Sequence, residues 1–363
     1  MSNKVVLELK DVTKDYKKTN IIRKMNLQVE DGEFLVMLGP SGCGKSTTLR
    51  MIAGLEVPST GKILIDGKDS QKISSLERNI AMVFQDYALY PNMTVYQNLE
   101  YSLKVHKVKK EERQKRLEEI LETLNLSDYR DRLPGQLSGG QKQRVALGRG
   151  MVKHSKIFLL DEPLSNIDVQ LREKARDEIQ ALHEKNQQTI IYVTHDQLEA
   201  MALGDRIAII NDGIIQMIDT PDNIYNHPTN LFVAQFIGTP RINTLDVIYD
   251  QGELFFDDEV VLSNSKRLAE MNLTSKRLCL GIRPEHVIVK KEKTNLLYLS
   301  AQIEMIVDYG RYQQLTLSLK NNQAIKAITT TNNNFSSGES VYFSFMEEKI
   351  LLFDYETKDN LEN

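Results

Sequence analysis

Nine residues, from Gly39 to Thr47, constrain the fold of this chain more than any other part of its sequence. They follow a compact apolar run, Phe34–Leu38, and precede Thr48–Ile52, which suits the start of a helix. Glycines at the first and sixth positions, followed by Lys-Ser, allow successive main-chain N–H groups to surround an anion at the N-terminus of that helix. The segment therefore predicts a buried strand, a phosphate-binding loop and a helix, in that order.

The side chains of this loop have separate predicted roles toward a nucleotide. The ammonium of Lys45 is expected to contact the β- and γ-phosphates, and the hydroxyl of Ser46 is expected to bind Mg²⁺. Cys43 is interpreted as a small filler residue and not as a redox switch. Besides Lys45 and Ser46, the loop residues predicted to bind the nucleotide are Gly39, Pro40, Ser41, Gly42, Cys43, Gly44 and Thr47.

Three further apolar runs, together with the helices between them, predict an α/β fold. Ile157–Leu160, Thr189–Val193 and Ile207–Ile210 are compact enough for strands that are buried on both faces. Helices with apolar residues at helical spacing lie between them, so we predict a core with a largely parallel sheet. The charged helical stretch from about 98 to 133 is interpreted as an insertion into that core.

The pattern of apolar and polar residues changes after Pro240. Apolar and polar residues alternate at Leu315, Leu317 and Leu319, and again around Phe343. This period of two predicts strands with one buried face. We therefore predict two domains, an α/β domain over 1–236 with a helical subdomain at about 98–150, and a smaller, mostly β barrel or sandwich over 240–363.

Composition narrows the class of protein. Charged residues make up 26% of the chain and hydrophobic residues 41%, as in folded globular proteins. The net charge of −4 argues against a dedicated nucleic-acid-binding protein. Two isolated cysteines favour a reducing cytoplasm over a disulfide. No apolar run approaches the roughly 20 residues of a membrane span, and Met1–Lys4 shows no secretory signal, so we expect any membrane role to require a partner.

Three polar residues are predicted to join the phosphate-binding loop because each follows an apolar strand. Asp161 and Glu162 come directly after Ile157–Leu160, and His195 follows Thr189–Thr194. Ligands of parallel sheets bind at the carboxyl ends of the strands. We expect Asp161 to hold Mg²⁺ directly or through water, Glu162 to polarise the attacking water, and His195 to contact the γ-phosphate.

The segment from Leu137 to Gln141 resembles the signature motif of the ATP-binding-cassette (ABC) ATPases, and the resemblance covers nearly the whole first domain. It implies that two copies of the chain sandwich two ATP molecules. Each ATP would be bound by the phosphate loop of one copy and by the signature residues of the other, which are Ser138, Gly139, Gly140 and Gln141.

The same resemblance assigns three further residues. Gln85 resembles the Q-loop glutamine, which links Mg²⁺ and the catalytic water to a transmembrane partner. Asp168 ends a segment that resembles the D-loop, with Ile167 where leucine is usual. Tyr16 is placed where the family has an aromatic residue that stacks on adenine; the alternative is an aromatic residue packed on an edge strand. Apolar and aromatic residues at 87–90 suit the docking of a partner helix, although some of them could belong to the core.

Four segments narrow the resemblance to the ATPase subunits of bacterial sugar importers of the maltose and multiple-sugar type. They are Met82–Pro91, Tyr192–Met201, Phe232–Gly238 and Gly281–His286. The resemblance implies oligosaccharide uptake at the cytoplasmic face of the membrane, with permease subunits, an extracellular solute-binding protein and a regulatory, OB-like second domain. Polyamine and iron importers share parts of these segments and stay open as alternatives.

Two other classes of protein are disfavoured. Soluble cassette ATPases that act on DNA or ribosomes usually carry a long coiled-coil insertion or two cassettes, and a phosphate-loop kinase or GTPase would leave the signature residues without a purpose. One departure from the family lies in the helix after the signature. Gly150 occupies a position where the family usually has a small residue that is larger than glycine. By intrinsic propensity this glycine costs the helix up to about 1 kcal/mol relative to alanine.

Overall fold

The run Phe34–Leu38 forms a strand whose five residues are all buried, as predicted. The computed structural model describes residues 4–362 apart from Lys18, Leu76, His154, Asn264, Asn272, Thr274, Ser275, Leu296, Asn332 and Asn333. It divides the chain into two compact units, 1–221 and 222–363. The division lies between Pro221 and Asp222, whereas the boundary predicted for the functional domains lies at 236–240 and stays a prediction.

In the first unit, helices separate the successive parallel strands of the central sheet, which is the alternation predicted for an α/β core. In chain order the described elements are β1 (Val5–Tyr16), β2 (Thr19–Glu30), β3 (Phe34–Leu38), α1 (Lys45–Ala53), β4 (Thr60–Ile65), β5 (Lys68–Asp69), β6 (Ile80–Val83), α2 (Val95–Val105), α3 (Lys110–Thr123), α4 (Gly139–Met151), β7 (Ile157–Asp161), α5 (Val169–Asn186), β8 (Thr189–Thr194), α6 (Gln197–Leu203), β9 (Arg206–Asn211) and β10 (Ile214–Asp219).

The central sheet of the first unit has the strand order β10-β9-β3-β8-β7-β6. Neighbouring strands from β9 to β6 are parallel, and only the edge strand β10 runs antiparallel to its neighbour. All residues of β3, β7 and β8 are buried, which explains their uninterrupted apolar sequences. The carboxyl ends of β3, β7 and β8 consequently lie side by side at one edge of the sheet.

A second, antiparallel sheet has the order β2-β1-β4-β5. Its apolar residues share one core cluster with α1 and with one face of the central sheet, represented by Leu7, Ile63, Ile52 and Leu159. The helix that follows the phosphate-binding loop is therefore anchored by apolar contacts to both sheets. This fixes its N-terminus at the carboxyl edge of the parallel strands.

The helical insertion is confirmed between the adjacent parallel strands β6 and β7. Helices α2, α3 and α4 converge on their own apolar cluster, which includes Leu99, Leu121 and Val145. Because this cluster is separate from the core of the sheets, the insertion forms a layer of its own. Helix α4 returns the chain to the central sheet and begins at the predicted signature residues.

The second unit consists mainly of antiparallel strands, as predicted. Its described elements are α7 (Pro221–Asn226), α8 (Leu231–Phe236), β11 (Asn243–Asp250), β12 (Glu253–Phe256), β13 (Glu259–Leu262), α9 (Lys266–Glu270), β14 (Lys276–Ile282), β15 (Val287–Lys290), β16 (Leu299–Asp308), β17 (Tyr312–Ser318), β18 (Ala324–Thr330), β19 (Ser340–Phe345) and β20 (Leu351–Asp354). Among the described residues of both units, every helix is too short or too polar to cross a bilayer.

Two five-stranded sheets build this unit, in the orders β13-β12-β11-β14-β20 and β15-β19-β16-β17-β18. They enclose one apolar core, to which Leu280 contributes from the first sheet and Leu317 and Phe343 from the second. Leu315, Leu317 and Leu319 are all buried in this core, so their alternation with polar residues marks the side of the chain that faces inward. The observed arrangement is barrel-like, in agreement with the prediction.

Gly150 has a packing role that the sequence did not reveal. It lies in α4, and a Cβ atom at this position would lie 2.3 Å from Cε2 and 2.6 Å from Cζ of Phe158 in β7. Phe158 is itself 3% exposed, so its ring has little room to move. The glycine allows α4 to approach the sheet closely. The steric cost of a side chain at this position therefore outweighs the gain in helix propensity that alanine would bring.

We expect Gly150→Ala to destabilise the chain by about 1–3 kcal/mol, because overpacking exceeds the gain in helix propensity. Calorimetric melting without nucleotide should show a decrease of about 2–4 °C per kcal/mol. Gly140→Ala is the matched control, since a Cβ there meets no atom within 4 Å. Phe158→Leu should recover part of the loss in the double variant. A higher melting temperature for Gly150→Ala than for the parent would show that the gain in helix propensity exceeds the cost of overpacking.

Candidate functional site

The phosphate-binding loop leads directly into α1, which begins at Lys45. The N-cap residue Gly44 has φ 102°, a conformation that residues with a side chain rarely adopt. At Gly39 a Cβ atom would lie 2.1 Å from the carbonyl oxygen of Ile210, so only glycine fits. These two glycines bring the loop close to the sheet and direct the free N–H groups of α1 toward one point.

Lys45 is 4% exposed and is held by the loop itself. Its Nζ donates hydrogen bonds to the carbonyl oxygens of Gly39 at 2.8 Å and Pro40 at 2.9 Å. The Sγ atom of Cys43 lies 3.7 Å from the same ammonium. Burial raises the pKa of the Cys43 thiol, with Lys45 acting in the opposite direction. The cysteine is therefore a buried thiol, in line with its interpretation as a filler residue.

Ser46 and Asp161 meet at the end of β7. The Ser46 hydroxyl donates a hydrogen bond of 2.7 Å to Oδ1 of Asp161. Asp161 is 4% exposed, and burial raises the pKa of its carboxyl group, while the bond from Ser46 partly counteracts this effect. Two oxygen-bearing side chains that lie 115 residues apart in sequence are thus brought together beside the loop.

Glu162 and His195 occupy the ends of the neighbouring strands β7 and β8. Oε2 of Glu162 lies 3.1 Å from Nδ1 of His195. Glu162 adopts a left-handed conformation with φ 46°, and its N–H donates to the carbonyl oxygen of Val193. This local strain turns the chain sharply out of the strand and directs the carboxylate toward His195. Two hydrogen-bonded pairs, Ser46 with Asp161 and Glu162 with His195, therefore lie next to each other at the edge of the sheet, because Glu162 directly follows Asp161.

Tyr16 lies at the end of β1 and is 43% exposed, so it is not a residue of the packed core. Its hydroxyl donates to the carboxylate of Glu56, and this hydrogen bond is the main reason that its pKa is raised. The hydroxyl also interacts with the side chain of Thr47 in the phosphate-binding loop. Nζ of Lys14 lies 4.8 Å from the centre of the ring. The ring therefore lies beside the first turn of α1, on the surface.

The signature residues have a structural role of their own that the sequence analysis missed. Ser138 is the N-cap of α4, and its hydroxyl accepts a hydrogen bond from the N–H of Gln141. The Gln141 side chain accepts in return from the N–H of Ser138. The S-x-x-Q spacing was the available signal for this capping box. Among the described residues, the hydrogen bonds and ion pairs link none of Ser138–Gln141 to the phosphate-binding loop of their own chain.

Gln85 and Asp168 belong to neither of these hydrogen-bonded pairs. Both residues are exposed, and Asp168 is the N-cap position of α5 without a capping bond from its side chain. The carbonyl oxygen of Gln85 accepts a hydrogen bond of 2.9 Å from Nδ2 of Asn166. Asn166 was not singled out in the sequence, because a contact between a side chain and a distant main-chain carbonyl leaves no local pattern. The segments that contain Gln85 and Asp168 are nevertheless in direct contact.

Comparison with known proteins agrees with this geometry. A family model described as "ABC transporter" matches residues 22–165, and one described as "TOBE domain" matches residues 280–353. The uncharacterized ABC transporter ATP-binding protein YurJ of Bacillus subtilis is 42% identical over 361 residues, which cover 97% of this chain and 98% of the relative.

Two relatives carry names that state a transport process. The trehalose/maltose import ATP-binding protein MalK of Thermococcus litoralis is 47% identical over 289 residues, which cover 77% of this chain and 78% of the relative. The sn-glycerol-3-phosphate import ATP-binding protein UgpC 1 of Rhizobium johnstonii is 48% identical over 280 residues, 77% of this chain and 76% of the relative.

A solved structure of the ATP-binding cassette MJ0796, dimeric and bound to ADP and Pi in a post-hydrolysis state, has a TM-score of 0.54 and 34% identity to this chain. The alignment covers 59% of this chain and 98% of that cassette. The phosphate-binding loop, the strand-end carboxylates and the signature helix all lie within the residues that match the ABC transporter family model. The chain belongs to the ABC transporter family and is one of its ATPase subunits, in which ATP hydrolysis is coupled to transport.

Proposed function

We propose that this chain drives the import of a carbohydrate by hydrolysing ATP at the interface of two copies of itself. The observation that carries the proposal is the pair of hydrogen bonds beside the phosphate-binding loop, at the edge of the central sheet. Ser46 follows Lys45 in the loop and shares a hydrogen bond with Asp161, Glu162 follows Asp161 at the same strand end, and His195 contacts Glu162 from the neighbouring strand end. These groups match the requirements of phosphoryl transfer to water, namely charge neutralisation, metal binding and a base.

The proposed reaction breaks the bond between the γ-phosphorus and the oxygen that leaves with ADP, and forms a new bond to a water oxygen. Glu162 takes the proton of that water as general base. Lys45 and the N–H groups at the start of α1 neutralise the charge on the phosphates. An ionised carboxylate can only accept hydrogen bonds, so in the contact with Glu162 the hydrogen atom belongs to Nδ1 of His195. Contact of the opposite ring nitrogen with the γ-phosphate then requires the imidazolium form or a rotation of the ring.

Mg²⁺ fits the donor set at this place. Ser46 and Asp161 supply one hydroxyl and one carboxylate oxygen 2.7 Å apart. Protein sites for Mg²⁺ in nucleotide enzymes typically combine one or two such groups with phosphate oxygens and water. We propose that these two residues hold the ion, with Gln85 as a further ligand, and that the ion stabilises negative charge on the phosphates.

The proposed dimer follows from the exposed signature residues. Ser138 and Gln141 cap their own helix, and Gly139 and Gly140 leave the N-terminus of α4 accessible, since a Cβ at Gly140 would meet no atom within 4 Å. A helix N-terminus of this kind favours a phosphate group. We propose that it contacts the ATP bound to the other copy, with Asp168 beside the same interface and Tyr16 stacked on the adenine.

The proposed contact with permease subunits lies around Gln85. Tyr90 and Tyr101 are 38% and 40% exposed, and their ring centres lie 4.8 Å apart. Such an exposed aromatic pair suits the apolar face of a helix from a partner. Tyr87, in contrast, is 7% exposed and belongs to the interior. The chain would thus act at the cytoplasmic face of the membrane, with an extracellular solute-binding protein delivering the cargo to the permease.

The choice of cargo rests on the two named relatives. MalK is named for trehalose/maltose import and UgpC 1 for sn-glycerol-3-phosphate import, at nearly equal identity to this chain. We propose an oligosaccharide, and a phosphorylated polyol is the second candidate that UgpC 1 favours. The chain contains no tryptophan, the residue type most suited to stacking on sugars. We therefore place the selection of cargo in the partners.

Deletion of the gene is expected to abolish growth on one or more oligosaccharides while growth on glucose is unaffected. Complementation with the wild-type gene should restore growth, and complementation with the Lys45→Ala variant should not, since the phosphate-binding loop loses its cation. Radiolabelled uptake identifies the cargo. Normal growth on every oligosaccharide, together with loss of sn-glycerol-3-phosphate, polyamine or iron uptake, would contradict the sugar assignment and retain the importer.

The second unit is proposed to regulate the ATPase. It includes α7 and α8, because Ala234 of α8 packs with Cys279 and Phe353 and the N–H of Leu231 donates to Lys358. We expect a chain of residues 1–221 to bind ATP with the affinity of the full chain. A chain of residues 1–238 should be less soluble, because it exposes the apolar face of α8. Loss of ATP binding by a folded 1–221 chain, as measured by calorimetry, would contradict this division of labour.

A further inference from the structure

The segment 85–90 is held in place by side chains from two helices and one connecting segment of the first unit. Asn166, which precedes α5, donates to the carbonyl oxygen of Gln85. Asn98 of α2 accepts from the N–H of Tyr90 at 2.9 Å and donates to its carbonyl oxygen at 3.2 Å. Between these two attachments, Arg149 of α4 contacts the main chain of Tyr87 and Ala88.

Arg149 uses both ends of its guanidinium group. Nη1 donates to the carbonyl oxygen of Ala88 at 2.6 Å, and Nη2 donates to that of Tyr87 at 3.1 Å. The guanidinium also lies 5.5 Å from the ring centre of Tyr90. The planar fork binds the two successive carbonyl groups through two separate nitrogen atoms in a fixed geometry, whereas the ammonium of a lysine is a single point charge on a flexible stem.

The main chain at this point does not hold its conformation by itself. Tyr87 has φ 64° and Ala88 has φ 44°, and both residues carry side chains that disfavour the left-handed region. The Tyr87 hydroxyl is buried without a hydrogen-bond partner among the described residues. Such a conformation persists only where the surroundings impose it. The N–H of Tyr87 donates to the carbonyl oxygen of Phe84, and the two bonds from Arg149 bind the carbonyl groups of both strained residues.

We propose that Arg149 is a positioning residue for Gln85, acting through the main chain of Tyr87 and Ala88. It links this segment to α4, the helix whose first residues are the signature residues. A shift of α4 would then move Gln85, and a partner that presses on Tyr90 would move α4. The inference rests on the proposed function in so far as Gln85 takes part in hydrolysis.

The test compares three variants of the full-length chain. Arg149→Met keeps most of the side-chain volume and removes both donors, and Arg149→Lys keeps the charge but replaces the rigid fork with a single ammonium group. Arg144→Met is the matched control, because Arg144 lies on the same helix and pairs with Glu178 of α5 instead of the 85–90 segment. Steady-state ATPase activity, ATP affinity and hydrogen–deuterium exchange of the 84–91 peptide are measured for each.

We expect Arg149→Met to lower kcat by about tenfold, the rate equivalent of one charge-assisted hydrogen bond, with ATP affinity unchanged. Exchange in the 84–91 peptide should become faster in this variant and stay normal in Arg144→Met. Arg149→Lys should be intermediate in both measurements. If Arg149 only stabilised the fold, Arg149→Met would lower ATP affinity and thermal stability together. Hydrogen–deuterium exchange in the 84–91 peptide would then be no faster than exchange in the rest of the chain.

Equal kcat and equal local exchange in Arg149→Met and Arg144→Met would overturn the inference, and so would a loss in Arg149→Met that is confined to folding. If the wild-type chain itself fails to hydrolyse ATP, the proposed function fails, and the exchange comparison still tests whether Arg149 holds the segment. The two failures are therefore distinguishable.

Discussion

Replacing Glu162 with glutamine is expected to slow ATP turnover by about 10³-fold, equivalent to about 4 kcal/mol of transition-state stabilisation, while ATP binding is retained. The amide keeps the shape of the carboxylate but cannot accept the proton of the attacking water. Because Lys45, Ser46 and Asp161 are unchanged, the nucleotide and the metal should still bind. ATP should then accumulate unhydrolysed and hold two copies together as a long-lived dimer.

Phosphate release under saturating ATP measures the rate, and size-exclusion chromatography with and without ATP measures the dimer. Glu178→Gln is a suitable control, since Glu178 is a half-buried carboxylate of α5 that pairs with Arg144 away from the strand ends. It should hydrolyse ATP at the wild-type rate. Turnover of Glu162→Gln near the wild-type rate would remove Glu162 from the role of base and would point to another group near His195.

The positions of Lys45, Ser46, Asp161 and Glu162 could be predicted because their signals are local. Glycine spacing defines the loop, and an uninterrupted apolar run before Asp161 defines a buried strand whose end reaches the carboxyl edge of a parallel sheet. The parallel register then places the end of β8, and with it His195, beside Glu162. Each step uses residues that are close in sequence or follow a simple period.

Other features depend on long-range packing and could not be predicted. The sheet β2-β1-β4-β5 was missed because β1 and β2 have several register irregularities and exposed polar residues that interrupt the alternation. Gly150 was interpreted from propensity alone, whereas its neighbour Phe158 comes from a strand beyond the end of the helix. The bonds from Arg149 and Asn166 to main-chain carbonyl groups join elements through residues 61 and 81 positions apart. No period or spacing marks such contacts.

Large effects are also expected from single substitutions in the two halves of the composite site. Lys45→Ala removes the buried cation of the phosphate-binding loop and should abolish hydrolysis in a homodimer. Ser138→Arg places a bulky cation at the N-terminus of α4, removes the capping bond to Gln141 and blocks the approach of a phosphate. We expect each variant alone to lose at least about 10²-fold in turnover, since each disables both sites of its own dimer.

Mixing these two variants tests the shared site most directly. In a heterodimer, one of the two ATP sites combines the intact phosphate-binding loop of the Ser138→Arg chain with the intact signature helix of the Lys45→Ala chain. The chains would carry different affinity tags, so that heterodimers can be isolated with ATP and their ATPase activity compared with that of each parent. The account predicts that activity returns, up to about half of the wild-type value if the two sites work independently. Isolated heterodimers that are as inactive as both parents would contradict a site shared between two copies.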